Sequence, residues 1–327
     1  MFSFGKSQIN KLLQKISSLK VLVIGDCMLD HYIWGDVHRI SPEAPVPVVN
    51  IDKDTYRLGG ACNVALNLSQ LGVQVDLMGP VGLDEAGNRM KTLLKSASIA
   101  VDESNFRSDV SSIVKTRVIV RNQQLCRLDR EQFFDHEQVD YIQSFLKANI
   151  GHWNAVIVSD YNKGTITQAL MDCLVDLKKQ HTFFLSVDPK PSHGLNYRGV
   201  DLLKPNRNEA LQMSGLTLLP HQQFPLKQVA EKILTQHPTK YLAITLGNEG
   251  IAVMDKNVDG QIFPTQTKEV FDVSGAGDTA LVALTLAFCL NASLEEAATF
   301  ANIASGVVVG KVGTASITPQ ELLDYVQ

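Results

Sequence analysis

Short apolar runs alternate along this chain with stretches of helical period. The runs are Val21-Leu-Val-Ile24, Ala155-Val-Ile-Val158, Phe183 to Val187, Leu202-Leu203 and Tyr241 to Leu246. Nearly continuous apolar strands separated by helices predict a mainly parallel sheet covered on both faces, hence an α/β core. Between residues 60 and 72, Ala61, Val64, Ala65, Leu68 and Leu71 recur at helical spacing and Gly72 supplies a stop. Gly59-Gly60 therefore stands directly before a helix. Ser293-Leu-Glu-Glu296 has the spacing of a capping box and opens a further helix, which carries Asn302.

Two segments break this pattern. Residues 36 to 57 hold Pro42, Pro45 and Pro47 among extended residues, and Val114 to Val120 alternates strictly. Val114, Thr116, Val118 and Val120 share one face; Lys115, Arg117 and Arg121 share the other. Half-exposed strands outside the main sheet are predicted, at roughly 36–57 and 110–130, forming a small flap whose basic face can turn toward the core. The flap is expected to be inserted in a single domain spanning 1–327, and its uncovered edge invites a second copy of the chain as a homodimer partner.

Composition narrows the classes. At 327 residues and 45% hydrophobic content the chain can bury a large core. A net charge of −4 and a pI near 6.1 give no electrostatic reason to expect nucleic acid, and a small-molecule partner is favoured. The five cysteines, Cys27, Cys62, Cys126, Cys173 and Cys289, are scattered and never spaced as C-x-x-C, as in a reducing compartment. Ala280 to Leu290 is too short to cross a bilayer, so no membrane partner and a cytoplasmic location are expected.

The chemistry gathers at Asp272-Val-Ser-Gly275-Ala276-Gly277-Asp278-Thr, where a small-residue loop enters the apolar run that begins at Ala280. The first amides of a helix lack internal partners and the helix dipole adds positive charge, so such a turn suits a phosphate. A bare G-x-G would read as a packing turn. Asp278 tips the balance, because an acid beside an anion site is repelled by the ligand unless it has chemical work. It can take a proton from a substrate hydroxyl that attacks a phosphoryl group, while Gly275, Ala276 and Gly277 hold the transferring charge. Other signals fail: Gly5-Lys6-Ser7 has no glycine at P-loop spacing before it, Ala280 interrupts G-x-G-x-x-G, and no H-E-x-x-H occurs.

With Gly59-Gly60-Ala-Cys-Asn63-Val-Ala, the Asp278 loop resembles the paired signatures of the ribokinase-like (PfkB) carbohydrate kinases. Gly25-Asp-Cys-Met-Leu-Asp30, Arg39-Ile-Ser-Pro-Glu-Ala-Pro-Val-Pro-Val48, Arg121 to Asp129, Ser159-Asp-Tyr-Asn-Lys163-Gly164 and Ala304 to Thr314 extend the resemblance to the heptose 7-phosphate kinases, over nearly the whole chain from Val21. The resemblance implies a three-layer α/β/α sandwich with a strand flap as lid, and ATP-dependent phosphorylation of the anomeric hydroxyl of D-glycero-β-D-manno-heptose 7-phosphate. It makes Asp278 the base, with Asp30, Gly59, Gly60 and Asn63 on the sugar. Asn206 and Glu209 of Lys204-Pro-Asn206-Arg-Asn-Glu209 would organise Mg²⁺ and the nucleotide phosphates, Glu209 directly or through water. Thr245, Gly247, Gly250 and Asn302 would lie along the nucleotide, and a monovalent cation is allowed. Arg117, Arg121, Lys163, Lys190 and Lys115 are the cations offered to the sugar's 7-phosphate, any one of which is alternatively a solvated charge.

Some relatives carry a nucleotidyltransferase domain as well. This chain ends at Gln327 with His237 as its last histidine, so kinase activity alone is expected of it. Ser274 stands where the wider family often has Thr, which keeps the hydroxyl. Two alternatives stay open: a kinase of another sugar on the same fold, and a silent ligand-binding regulator built on it, against which the intact Asp278 and N-x-x-E argue.

Overall fold

Val21 and Val23 of the first strand, β1 (Lys20–Gly25), lie in one apolar core, and Leu22 and Ile24 lie in another. That is the burial a strand acquires when helices cover both faces of its sheet. The computed structural model describes residues 5–121, 123–219, 222–256, 260–265, 272–311 and 313–326. Its strands continue as β2 (Cys27–Ile40), β3 (Pro47–Gly60), β4 (Gln74–Met78), β5 (Val81–Gly82), β6 (Ala100–Val101), β7 (Phe106–Arg107), β8 (Ile113–Val120) and β9 (Gln123–Arg130). They end with β10 (Ala155–Ser159), β11 (Phe184–Asp188), β12 (Leu202–Leu203), β13 (Tyr241–Thr245), β14 (Ile251–Asp255) and β15 (Gln261–Phe263).

The main sheet runs β15-β14-β13-β12-β11-β10-β1-β4-β6. It is parallel except where β14 pairs with β13 and β15. One face is covered by α1 (Lys6–Ile16), α2 (Ala61–Gln70) and α3 (Glu85–Ser96); the opposite face takes α4 (His136–Val139), α5 (Tyr141–Asn149), α6 (Gln168–Lys178), α7 (Arg207–Ser214) and α8 (Leu226–Gln236). Helices α9 (Ala276–Cys289), α10 (Leu294–Val309) and α11 (Pro319–Tyr325) complete the first layer. The expected three-layer α/β/α sandwich is the observed architecture, and each of the five apolar runs is a strand of its sheet. The Ser293 capping box forms as its spacing predicts: the Ser293 hydroxyl accepts from the Glu296 amide at 3.2 Å, and the Glu296 carboxylate from the Ser293 amide at 2.9 Å.

The flap is a separate four-stranded sheet, β3-β2-β8-β9. Its first hairpin starts earlier than the proline-rich segment indicates, because β2 leaves the core at Cys27, two residues after β1 ends. The prolines mark the turn: Ser41 to Val46 joins the two strands, and Ser41 N–H bonds the Val46 carbonyl at 2.9 Å. The alternation at 114–120 sorts the faces as expected. Val114 and Thr116 line a cleft against α3 with Leu29, His31 and Tyr56, while Lys115 and Arg117 point the other way, toward Tyr161 and Asp30.

Candidate active site

Chain segments at the carboxyl ends of five neighbouring parallel strands bring a row of polar groups to one edge of the main sheet. Asp26 follows β1, Asp160 to Thr165 follow β10, Asp188 closes β11, Lys204 follows β12 and Thr245 closes β13. Parallel α/β sheets bind ligands at this edge, where loops splay and helix amides point outward.

Gly275 turns the chain into α9 with φ of 82°, a left-handed conformation that glycine adopts without strain. Asp278 follows in the first helical turn and is 4% exposed. The amides of Gly277 and Asp278 fall where no helical acceptor precedes them. The Ala276 amide is engaged instead, bonding the Val273 carbonyl at 3.2 Å. Two donors fix the Asp278 carboxylate: Asn63 Nδ2 at 2.7 Å on Oδ2, and the Tyr161 hydroxyl at 2.9 Å on Oδ1. Burial raises Asp278 above the ordinary carboxylate range, against the pull of Asn63, Tyr161 and Lys204. That combination leaves a carboxylate desolvated, aimed and more basic than usual.

Asp30 lies in the flap strand β2, 2% exposed. Arg117 Nη1 donates to its Oδ1 at 2.5 Å and the Thr314 hydroxyl to its Oδ2 at 3.2 Å. Its cross-strand partner in β3 is Arg57, and two residues on, a Cβ at Gly59 would lie 2.6 Å from Asp30 Oδ2. Gly60 caps α2 with φ of 55°, and Asn63 stands in that helix's first turn. The flap is sewn to the C-terminal segment as well: Arg57 Nη1 donates to the Thr314 carbonyl at 2.9 Å, and Thr314 N–H to the Tyr32 hydroxyl at 3.1 Å. Lys115 Nζ lies 5.7 Å from the centre of the Tyr161 ring, half-buried, with no carboxylate within ion-pair distance among the described residues. Burial lowers its pKa. Lys163 pairs with Glu131 at 2.6 Å. Arg121 is not brought to this group. It sits beyond the end of β8 at φ of 48°, its side chain 72% exposed and 3.7 Å from Asp36, and four extended residues put it about 13 Å along the strand from Arg117.

The remaining expected residues form a second cluster. Asn206 and Glu209 cap α7 reciprocally, at 3.0 and 2.9 Å. Lys190, expected on the sugar's phosphate, instead pairs with Glu209 Oε1 at 3.1 Å. Thr245 bridges to Asn206, Gly247 opens an exposed turn, and Gly250 closes it by accepting from Leu246 N–H at 2.8 Å. The Asn302 amide is spent on the Phe263 carbonyl at 2.8 Å, which holds β15 beside Gly250. Lys204 joins the two clusters. It is 2% exposed and bonds Asp188 at 3.0 Å, and a Cβ on Gly277 would stand 3.7 Å from its Nζ. Burial pushes Asp188 up to about 7 against the pull of Lys204.

Sequence reasoning quoted the segments that hold Tyr161, Lys204 and Thr314 without assigning those residues. Their signal is position inside those motifs. Asp26 has the same signal, inside Gly25-Asp-Cys-Met-Leu-Asp30; Asp188 carried none, because a carboxylate after an apolar run reads as an ordinary strand end.

The model of the pfkB family carbohydrate kinases matches residues 18–321. This chain belongs to that family. It is a sugar kinase, a phosphotransferase with an alcohol group as acceptor. It is 39% identical over 308 residues to the bifunctional protein HldE of Sulfurimonas denitrificans and 40% identical over 311 residues to that of Helicobacter hepaticus. Each alignment covers 94% of the chain and 64% of the relative, so this pfkB kinase spans less than two thirds of the length of the curated relatives it matches. Among solved structures it superposes on phosphofructokinase-2 from Escherichia coli in complex with substrates and products at a TM-score of 0.78, with 19% identity over 94% of this chain and 98% of that one. Ribokinase from Thermotoga maritima gives 0.69 at 18% identity, over 94% and 99%. The fold is ribokinase-like.

Kinases of this family use ATP with a divalent metal. The residues here fit both. The half-exposed loop at Gly275, with Lys204 beneath it, suits a phosphate chain. Glu209 has one oxygen on Lys190 and the other on the Asn206 amide, so it would meet a hydrated divalent ion through water. Among the described residues no helix is long and apolar enough to cross a membrane.

Proposed function

We propose that this pfkB kinase moves the γ-phosphoryl group of Mg-ATP to the anomeric hydroxyl of D-glycero-β-D-manno-heptose 7-phosphate, giving the 1,7-bisphosphate in ADP-heptose synthesis for the lipopolysaccharide core. Three things support the reading: the motif resemblance to heptose 7-phosphate kinases, the two HldE relatives, and the flap's chemistry. The observation that carries it is Lys115, a half-buried cation with no ion-pair partner among the described residues, over the ring of the tyrosine that bonds Asp278. A site with a spare, half-buried positive charge over the tyrosine that holds the base fits a sugar that is already phosphorylated.

Bound ATP supplies the phosphoryl group, and the divalent ion offsets its charge. Asp278 takes the proton of the attacking hydroxyl, and its raised basicity suits that task. The Gly275-Ala276-Gly277 turn and Lys204 face the charge that develops on the transferring group. Asp30, with its carboxylate steadied by Arg117 and Thr314, accepts sugar hydroxyls, and Gly59, Gly60 and Asn63 line the same wall. Arg117, Lys115 and Lys163 hold the 7-phosphate. Asn206, Glu209 and Lys190 order the metal and phosphates, and Thr245, Gly247, Gly250 and Asn302 flank the nucleotide, with a monovalent cation as an accessory.

A cytoplasmic homodimer joined through the flap completes the proposal. Every residue of the edge strand β9 is exposed, Leu125 and Leu128 by 44% and 60%, and an open strand edge invites a partner strand. Turnover decides the substrate: ADP release with heptose 7-phosphate, fructose 1-phosphate, fructose 6-phosphate or ribose, and ³¹P NMR of the product. Turnover with heptose 7-phosphate and a new anomeric phosphate signal is expected. Turnover with another sugar alone would discard the substrate and keep the mechanism.

A further inference from the structure

Asp26 is completely buried, and among the described residues no cation pairs with it. A carboxylate in that setting needs hydrogen bonds to every lone pair it can fill. It finds them in one loop. Its Oδ2 accepts from the amides of Tyr161 at 2.8 Å and Lys163 at 3.2 Å, and its Oδ1 from the amide of Thr165 at 3.3 Å. The loop is wrapped around the carboxylate, and Tyr161 leaves it with its hydroxyl on Asp278 Oδ1. The backbone of the same residue works in the other direction. The Asp26 carbonyl accepts from Ala61 N–H at 3.1 Å, at the start of α2. Two residues on, Asn63 bonds Asp278 Oδ2.

Both donors that aim the base therefore hang from one residue at the end of β1. We infer that Asp26 is a positioning residue for Asp278, acting through Tyr161 by its side chain and through Asn63 by its carbonyl, without touching substrate. The assignment of Asp278 as base rests on the proposed reaction; the hydrogen-bonded relay does not. Burial and the neighbouring Asp278 raise the Tyr161 pKa, which keeps its hydroxyl a donor to the carboxylate. The other charged groups facing Asp278 are Lys204, Asp30 and Asp188, from β12, the flap and β11, and neither substitution below alters them.

Two measurements separate the inference from the reaction. In the ligand-free protein, ¹³C NMR of labelled Asp carboxyls, with the Asp278 signal assigned from Asp278→Asn, follows the base directly. Tyr161→Phe removes a donor to a carboxylate, so the Asp278 midpoint is expected to rise by about one pH unit. Asp26→Asn keeps the volume but turns an NH₂ toward one of the three amides, and is expected to raise the same midpoint. In steady-state kinetics with heptose 7-phosphate, each variant is expected to lose about tenfold in kcat, with the acid limb displaced upward. The double variant should lose little more than either single one, since both act on one hydrogen bond. Losses that multiply, or an Asp278 midpoint unmoved by Tyr161→Phe, would overturn the inference. Tyr161→Phe alone decides the matter should Asp26→Asn fail to fold. A parent that leaves heptose 7-phosphate untouched while the midpoint shifts would sink the substrate and spare the relay.

Discussion

The wall proposed for the sugar and the wall proposed for the nucleotide are built differently. Asp30, Asn63 and Asp278 are buried, and their partners come from far along the chain: Arg117, Thr314 and Tyr161. Asn206 and Gly247 are exposed, and the Asn206–Glu209 pair is a local capping box. A buried, interlocked wall holds one geometry and would discriminate among ligands, because each misfit leaves a polar group unpaired. An exposed wall of caps and turns meets a ligand whose phosphates bring their own charge and water. On the proposed reading, discrimination is concentrated where the flap residues Asp30 and Arg117 meet the core around Asp278.

That contrast breaks most visibly at Asp278. Asp278→Asn is expected to lower kcat about a thousandfold with both substrates still bound, measured by ADP release and calorimetry. Arg117→Ala comes next. It strands the Asp30 carboxylate, 3% exposed beside a guanidinium that is 16% exposed, and an expected loss of about 3 kcal/mol would show as a lower denaturation midpoint. Lys115→Met should raise KM for the sugar phosphate about tenfold with little change for ATP, the loss of one charge-assisted contact. Asn206→Ala should cost only about 1 kcal/mol of helix capping, read as a few-fold rise in KM for ATP.

Asp278 and Lys115 are expected to set the pH response. The raised Asp278 carboxylate takes up its proton at a higher pH than an ordinary aspartate, and activity is expected to fall with it. The lowered Lys115 gives up its charge before an ordinary lysine, so KM for the sugar phosphate should climb on the alkaline side with kcat unmoved. A KM independent of pH there would remove Lys115 from the phosphate site.

The exposed side was the more legible of the two in the sequence. Asn206 with Glu209, Ser293 with Glu296, and the glycines before α9 are short-range patterns, and a cap is written within four residues. Asp278 was found because an acid next to an anion site is locally inconsistent. Tyr161 and Lys204 could not be read this way. Their contacts are with Asp278 and Gly277, 117 residues away in the first case, and apart from their place inside the family motifs nothing in their own neighbourhoods signals them. Alternation named the right face of β8 but not the distance along it, so Arg121 was grouped with Arg117 although it lies at the tip of the hairpin. Prolines marked the Ser41–Val46 turn rather than the strands themselves.

Gly59 makes one consequence concrete for anyone diversifying this enzyme. With 2.6 Å between Asp30 Oδ2 and the place a Cβ would occupy, every other residue at that position must push the carboxylate aside before it could offer the proposed sugar anything new. Libraries seeking altered acceptors would waste their members there. The productive routes run through the far ends of the flap side chains, such as Lys115, where a change alters the ligand's surroundings without dislodging its anchor.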